Sequence, residues 1–406
     1  MRGCVWYCCQ RIKAECIIYV LFIKLIAQTI CVKRVSKKTS FCQLLFAALK
    51  LFHEAITNSG MSCEGVAEKY LGKGNHEALQ GKVAIITGAS SGLGLENARV
   101  LMKYGCTVVW AVRNVEKAKQ CLKDIDAQEG CEVSKKAIVL QVQLDDLSTI
   151  EGFVQDFRNL GLPLNYLILN AGIMAPVQWE PSRQGIESMF ATNNLSHYLM
   201  TELLLPQMIE DAKTDPVRVV VLTSIAGCMC SGIDLDTVPV PASDYHAFTD
   251  YCVSKAIDTF HARSLNKKHN RDNIFAAAVH PGLIGSTGLL EHNEAYENLF
   301  FKSLLFFPYR KGIKSGSAST MYCTLCPDVP DQIKNGRVYY YNRAPQSLWG
   351  IARPGRRDDL IDALDQKQMG LVKEYMEAAS WARPMKQSRL RGACSEYGTV
   401  LPQPDV

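Results

Sequence analysis

The sequence offers little that would hold a metal ion or a disulfide framework. Cys323-Thr-Leu-Cys326 has the spacing of a zinc or redox pair, but no second pair and no His cluster accompanies it. The sixteen cysteines are scattered, several of them inside apolar runs, such as Cys106 and Cys252. They read as reduced thiols. A strongly basic body is also missing. The net charge is +5, and residues 1–60 alone carry +7, which leaves −2 for the remainder and excludes a nucleic-acid-binding face there. No internal repeat or long linker interrupts residues 80–345. An unbroken apolar run of membrane-spanning length is absent too: Cys16 to Val32 has 17 residues and is interrupted by Lys24 and Gln28.

What residues 1–60 do contain is basic and partly apolar. Arg11 and Lys13 precede the Cys16–Val32 run, and Lys33, Arg34, Lys37 and Lys38 follow it. Phe41 to Phe52 is apolar at 41, 44, 45, 48, 49 and 52, one stripe of a helix that suits a membrane interface. The expectation is membrane association through residues 16–52, with a cytosolic body, as at the endoplasmic reticulum. The competing readings are a targeting peptide, a disordered extension, or a true start at Met61, with a cytoplasmic or organellar location. A compact domain needs nothing before about residue 75 on this view. Residues 346–406 read as peripheral: one amphipathic helix over Asp358–Met376, then a frayed tail.

From residue 80 the pattern is regular. Apolar, β-branched runs recur at Val83–Thr87, Thr107–Val112, Ile138–Val142, Tyr166–Leu169, Arg218–Ser224, Ile274–Val279 and Arg337–Tyr341, with helical patterns between most of them. Such alternation predicts an α/β fold: a Rossmann-type, doubly wound parallel sheet of about seven strands with helices on both faces, as one domain over residues 80–345.

The first strand runs into Gly88, Ser90, Ser91, Gly92, Leu93 and Gly94, and a helical pattern follows. A strand that ends in a Gly-rich turn and opens a helix presents bare backbone N–H groups to a pyrophosphate. The second strand ends at Arg113-Asn114, and Arg113 lies 19 residues after Gly94. That position faces the adenosine ribose, where an acid suits NAD and an arginine suits the 2′-phosphate of NADP. No acid precedes Arg113, so NADP(H) is the expected cofactor. Asn170, Ala171 and Gly172 follow the fourth strand. They are either a turn that approaches the cofactor or simply a tight turn.

Tyr251-Cys-Val-Ser-Lys255 is the most specific feature. Residues at i and i+4 share a helix face, so the Lys255 ammonium can sit near the Tyr251 phenol. A phenol with an ordinary pKa of about 10 is a poor base at neutral pH. Positive charge from Lys255 and an oxidised nicotinamide would move it downward. Ser224, at the end of the fifth strand, supplies a second hydroxyl for a reacting oxygen.

With these residues in place the chain resembles the short-chain dehydrogenase/reductases over roughly residues 80–345, and within them the branch of retinol dehydrogenases and WW-domain oxidoreductases. The likeness rests on the glycine turn, Arg113-Asn114, Asn170-Ala-Gly172, Phe190-Ala-Thr-Asn193-Asn-Leu-Ser-His197, Ser224, Tyr251-Cys-Val-Ser-Lys255 and His280-Pro281-Gly282. It implies that Tyr251 is the general acid/base and that Ser224 orients the oxygen. It further implies that Lys255 holds the nicotinamide ribose and that Asn193 completes a tetrad through a water. Pro281 and Gly282 would border the nicotinamide, with Ser286 or Thr287 reaching its amide. The sequence departs from the family where the adenine-contacting Asp-Leu aligns with Gln143-Leu144 and only by a shift with Asp145. Ser196 stands in place of the usual Gly, and Leu283–Thr287 is one residue long.

Two segments bear on the substrate. The 26 residues between Ser224 and Tyr251 carry Asp234, Asp236, Asp244 and His246, a solvated lid and not a metal site. Residues 289–307 are dense in Leu and Phe, which suits a cover for a lipophilic small molecule, or packing against the domain or a second copy. The expected activity is hydride transfer between NADP(H) and a lipophilic alcohol or carbonyl. Two alternatives stand: an idle NADP(H)-binding adaptor, and a reductase of small soluble carbonyls or quinones. No metal is expected, and a homo-oligomer is compatible with the sequence.

Overall fold

The computed structural model describes residues 60–230, 233–284, 288–290, 310–346 and 358–381. The expectations placed on residues 16–52, on Ser286 and Thr287, on nearly all of 289–307 and on the tail beyond Trp381 lie outside the described residues.

In chain order the helices and strands that build the body are α1 (Cys63–Leu71), β1 (Val83–Thr87), α2 (Gly92–Lys103), β2 (Thr107–Val112) and α3 (Val115–Glu129). Next come β3 (Ala137–Gln141), α4 (Ser148–Asn159), β4 (Tyr166–Leu169) and α5 (Ser196–Asp211), the last entered through a π-helical turn, Ala191–Leu195. They are followed by β5 (Val217–Leu222), α6 (Ala226–Met229), α7 (Ala247–His269), β6 (Ile274–Val279), β7 (Leu283–Ile284) and β8 (Arg310–Lys311). The last are α8 (Ile313–Gly316), α9 (Ala318–Leu325), α10 (Val329–Lys334), β9 (Tyr339–Tyr341), β10 (Ala344–Pro345) and α11 (Asp358–Trp381).

Eight strands form one sheet in the order β10-β9-β6-β5-β4-β1-β2-β3, while β7 and β8 pair separately. The sheet is parallel except for β10, which runs antiparallel to β9. The seven expected strands thus gain an eighth, and the last of them is shorter than Arg337–Tyr341. Alternate residues of each strand face opposite layers. Val83 and Ile85 enter a core with Phe153 of α4, Leu204 of α5 and Ile257 of α7; Ala84 and Ile86 enter another with Leu101 of α2 and Met321 of α9. Burial on both faces explains why the strands read as continuous apolar runs.

Two boundaries need correction. Cys63, Val66 and Ala67 of α1 are fully buried in the second core, so the body begins before residue 75 and not at residue 80. Charge reinforces this docking: Glu64 of α1 takes Arg99 at 3.2 Å and Lys103 at 2.6 Å, both from α2. A nine-residue helix carries too short a periodicity to announce itself. At the other end α11 is not peripheral. Leu360, Ile361, Leu364 and Val372 are buried in the first core against α7, and Asp365 accepts from Ser264 at 2.9 Å. Among the described residues no helix is long and apolar enough to cross a membrane.

Candidate functional site

Strand order reverses between β1 and β4, and ligand crevices of open α/β sheets lie at such a point, outside the carboxyl ends of the strands. Both strands end there in residues singled out above. Thr87 Oγ1 accepts from the backbone N–H of Asn170 at 2.9 Å and of Ala171 at 3.0 Å, and Asn170 Nδ2 donates to the Thr87 carbonyl at 2.8 Å. The Asn-Ala-Gly turn is therefore fastened to β1. Gly94 has no room for a side chain: a Cβ there would stand 2.5 Å from both Gly88 O and Asn170 Nδ2. The first turn of α2 can pack onto the strand end for that reason, with its N–H groups toward the crevice. Ser91, its N-cap, makes no side-chain cap bond.

A cavity of about 500 Å³ follows these strand ends. Gly88, Ser90, Ser91, Gly92, Leu93, Arg113, Asn114, Asn170, Ala171 and Gly172 line it, and so do Ser224, Tyr251, Lys255, Pro281 and Gly282. One helix supplies the central pair. Tyr251 and Lys255 lie on α7, 4% and 6% exposed, with Lys255 Nζ 5.9 Å from the centre of the Tyr251 ring. Ser224, just beyond β5, shares a hydrogen bond with the Tyr251 hydroxyl and accepts from Ala226 N at 3.2 Å. Lys255 Nζ donates to the Leu222 carbonyl at 3.1 Å and to Asp258 at 2.9 Å.

The electrostatics add one contribution to those expected from the sequence. Burial pushes the Tyr251 pKa up, and the pull of Lys255 and the Ser224 hydrogen bond in the other direction does not overcome it. The pull of Lys255 thus runs in the expected downward sense, and desolvation, which acts against the charged form, sets the net direction upward. Burial by itself would lower the Lys255 pKa, but the Asp258 carboxylate and Tyr251 raise it, so the ammonium keeps its proton.

Arg113 and Asn114 stand exposed on the cavity rim, and the Arg113 guanidinium makes no ion pair among the described residues. Lys117, four residues on in α3, also lines the cavity. The sequence reading passed over it, although its spacing from Arg113 at a helix start could have found it. At the end of β3 the lining residues are Val142, Leu144 and Asp145; the Gln143 backbone is instead occupied by Thr149 Oγ1, which bonds both its N–H and its carbonyl.

Asn193 is not on the cavity wall. Its Oδ1 accepts from Ile173 N at 2.9 Å, and its Nδ2 donates to Ile173 O at 3.0 Å and Ser254 Oγ at 3.2 Å. The side chain is spent on pinning the segment after Gly172 to α7. Thr287 lies outside the described residues, so the nicotinamide-amide contact has no described counterpart. The lid is fixed at several points: Trp179 Nε1 donates to Val240 O at 3.0 Å and Tyr245 to Pro176 O at 2.7 Å, while Asp234 and His246 cap the turns that follow them. Cys323 and Cys326 are buried free thiols, and no group of three or more metal-ligating side chains occurs among the described residues.

A cation pair on the rim, a glycine-tight helix start and a buried Tyr–Lys pair beside Ser224 fit a phosphorylated dinucleotide beside a reacting oxygen. The short chain dehydrogenase family matches residues 82–298, just over half of the chain. The chain is similar to the short-chain dehydrogenase TIC 32 A, chloroplastic, of Brassica napus, with 38% identity over 260 residues, 61% of this chain and 77% of that protein. It is also similar to the human WW domain-containing oxidoreductase, with 28% identity over 268 residues, 64% of this chain and 62% of the other. An uncharacterized oxidoreductase of Schizosaccharomyces pombe shares 31% over 296 residues, 70% of this chain and 83% of its own.

Proposed function

This chain belongs to the short-chain dehydrogenase family, and we propose that it is an NADP(H)-dependent oxidoreductase acting on a lipophilic alcohol/carbonyl pair. The observation that carries the proposal is the meeting of Tyr251, Ser224 and Lys255 in one cavity with an unpaired Arg113 on its rim. When bound, NADP(H) supplies or accepts the hydride. The chain's own residues do the rest. In the reducing direction Tyr251 donates its phenolic proton to the substrate oxygen, and Ser224 donates a hydrogen bond that holds that oxygen in place. Lys255 keeps a positive charge one helical turn away, which favours the phenolate as the proton leaves. Arg113 and Lys117 would hold the 2′-phosphate, and the start of α2 the pyrophosphate.

The substrate class follows from the rest of the wall. Met174, Ile225, Met229, Phe248, Leu283 and Leu289 line the same cavity and favour an apolar body behind the reacting oxygen. Basic flanks and apolar stripes over residues 16–52 support attachment to a membrane from which such a substrate could be drawn.

The test is NADPH oxidation by the purified full chain across lipophilic and small soluble aldehydes and ketones, with Tyr251→Phe beside it. Turnover of the lipophilic set that vanishes in Tyr251→Phe while NADPH still binds is the expected result. Turnover retained in the variant would remove Tyr251 from the chemistry. For the attachment, alkaline extraction of membranes from expressing cells should leave the chain in the pellet, and its release into the wash would count against an anchor.

A further inference from the structure

One turn beyond Lys255, α7 carries a third buried ionisable group. Asp258 is 3% exposed, and both its oxygens are engaged: Oδ2 by Lys255 Nζ at 2.9 Å and Oδ1 by Asn194 Nδ2 at 2.7 Å. Asn194 sits in the π-helical turn ahead of α5 and also donates to the Ser254 carbonyl at 2.9 Å, so a second element clamps the carboxylate. Lys255 gives a further N–H to the Leu222 carbonyl. One of its three N–H groups is thus left without a partner among the described residues, and Lys255 lines the cavity. A buried ion pair is a poor source of stability, because desolvation opposes the attraction, so its place beside the reacting phenol needs another account.

We propose that Asp258 is a positioning residue for Tyr251: clamped by Asn194, its carboxylate fixes the Lys255 ammonium and offsets its charge, so that the phenol stays in its proton-donating form. The inference rests on the oxidoreductase reading above. The titratable groups around the pair are consistent with it. On α7 they are Tyr251 and the buried thiol of Cys252. From α5 comes His197, which burial keeps neutral. The π-helical turn contributes Asn193 and Asn194, and the end of β5 contributes Thr223 and Ser224, all of them uncharged. The offset accordingly falls to Asp258. With it, Lys255 orients its remaining N–H toward a ligand without driving Tyr251 to phenolate beforehand.

The test is Asp258→Asn in the full chain, read as the pH profile of kcat/KM for alcohol oxidation, where Tyr251 has to be deprotonated. The rising limb should move to lower pH by roughly one unit, about a tenfold gain at a fixed pH on that limb, since Tyr251 then sees Lys255 unopposed. An unmoved limb, or one displaced to higher pH, overturns the proposal whatever happens to kcat. Should the variant not fold, Asn194→Ala decides, since it removes the donor to Asp258 Oδ1 and so weakens the offset. The same limb should then move to lower pH, and an unmoved limb overturns the proposal. Turnover that persists in Tyr251→Phe would instead remove Tyr251 from the chemistry, and with it the reading of the site on which the role of Asp258 rests. Dependence on Tyr251 with an unmoved limb sinks only the role of Asp258.

Discussion

Thr87 and His197, 110 residues apart, meet at 3.0 Å between Oγ1 and Nε2 beneath the Asn170 turn. The bond has a direction. His197 Nδ1 lies 3.2 Å from the Asn193 carbonyl, which can only accept, so Nδ1 carries the proton and Nε2 accepts from the Thr87 hydroxyl. Thr87 Oγ1 is then left with its lone pairs for the N–H groups of Asn170 and Ala171. One neutral imidazole thereby links the β1 end, the Asn-Ala-Gly turn and the backbone of Asn193.

Thr87→Val keeps the shape and removes the hydroxyl. Two backbone N–H groups and one ring nitrogen would lose their partner in a buried place, for a loss of about 2–4 kcal/mol of stability. NADPH affinity should fall with it, and Thr87→Ser should restore both. Chemical denaturation and cofactor-fluorescence titration measure the two effects, and a Val variant as stable as wild type would mean the turn is held by other contacts.

Cofactor choice should follow the rim cations. Arg113→Asp is expected to weaken NADPH by about a hundredfold and to leave NADH nearly as it was, because only the 2′-phosphate meets the changed charge. Lys117→Ala should act in the same sense and more weakly, since Lys117 is exposed on α3 and offers a point charge. Steady-state KM values for both nucleotides decide it. An equal loss for NADH and NADPH would take the phosphate away from Arg113.

The parallel sheet was readable because β1, β2, β4, β5 and β6 are buried on both faces, and that requirement writes unbroken apolar runs into the chain. The Tyr251–Lys255 spacing was readable for a similar reason, being a local helical relation. Relations between distant segments were not. Nothing near Asn193 in sequence announces that its side chain is consumed by Ile173 and Ser254, and nothing near Tyr251 announces that burial outweighs Lys255 in setting the phenol's pKa. Helix α1 escaped because nine residues hold too few turns for a period to show. Asp258 was in plain view, but only Asn194, from another element, marks it as more than a solvated helix residue.

Helix α6 should tolerate no side chain at Gly227. A Cβ there would stand 2.7 Å from both the C and the O of Lys255 and 2.8 Å from Ala256 N, all backbone of a buried helix that cannot swing aside. Gly227→Ala must push α6 off α7 at the residue that carries the ammonium. The expected cost is about 2–3 kcal/mol in stability, together with a fall in kcat larger than any change in NADPH affinity. Thermal unfolding and initial rates test this; a variant with wild-type melting and rate would show that the two helices can separate freely.

Buried histidine should make the fold acid-sensitive in a way one substitution can relieve. Burial lowers the His261 pKa to about 4, with Asp365 opposing the shift, and His261 Nε2 has no hydrogen-bond partner among the described residues. In the unfolded chain the same ring titrates near 6.5. Between these values the unfolded state binds a proton that the folded state refuses, so His261 withdraws stability as pH falls from about 6.5 toward 4. Glu187 acts in the opposite sense: burial raises its carboxyl to about 7, so the folded chain gains stability as pH falls from there toward the ordinary carboxylate range. The two terms partly cancel in wild type, which hides each of them in a simple pH–stability curve. His261→Leu separates them. The variant should gain little at pH 7.5 beyond removal of an unpaired nitrogen, and by pH 5 the gain over wild type should grow by about 2 kcal/mol. Thermal melts of both chains at several pH values measure that difference directly. A constant difference across the range would mean that the imidazole is protonated inside the fold, with a carboxylate such as Asp365 as its partner.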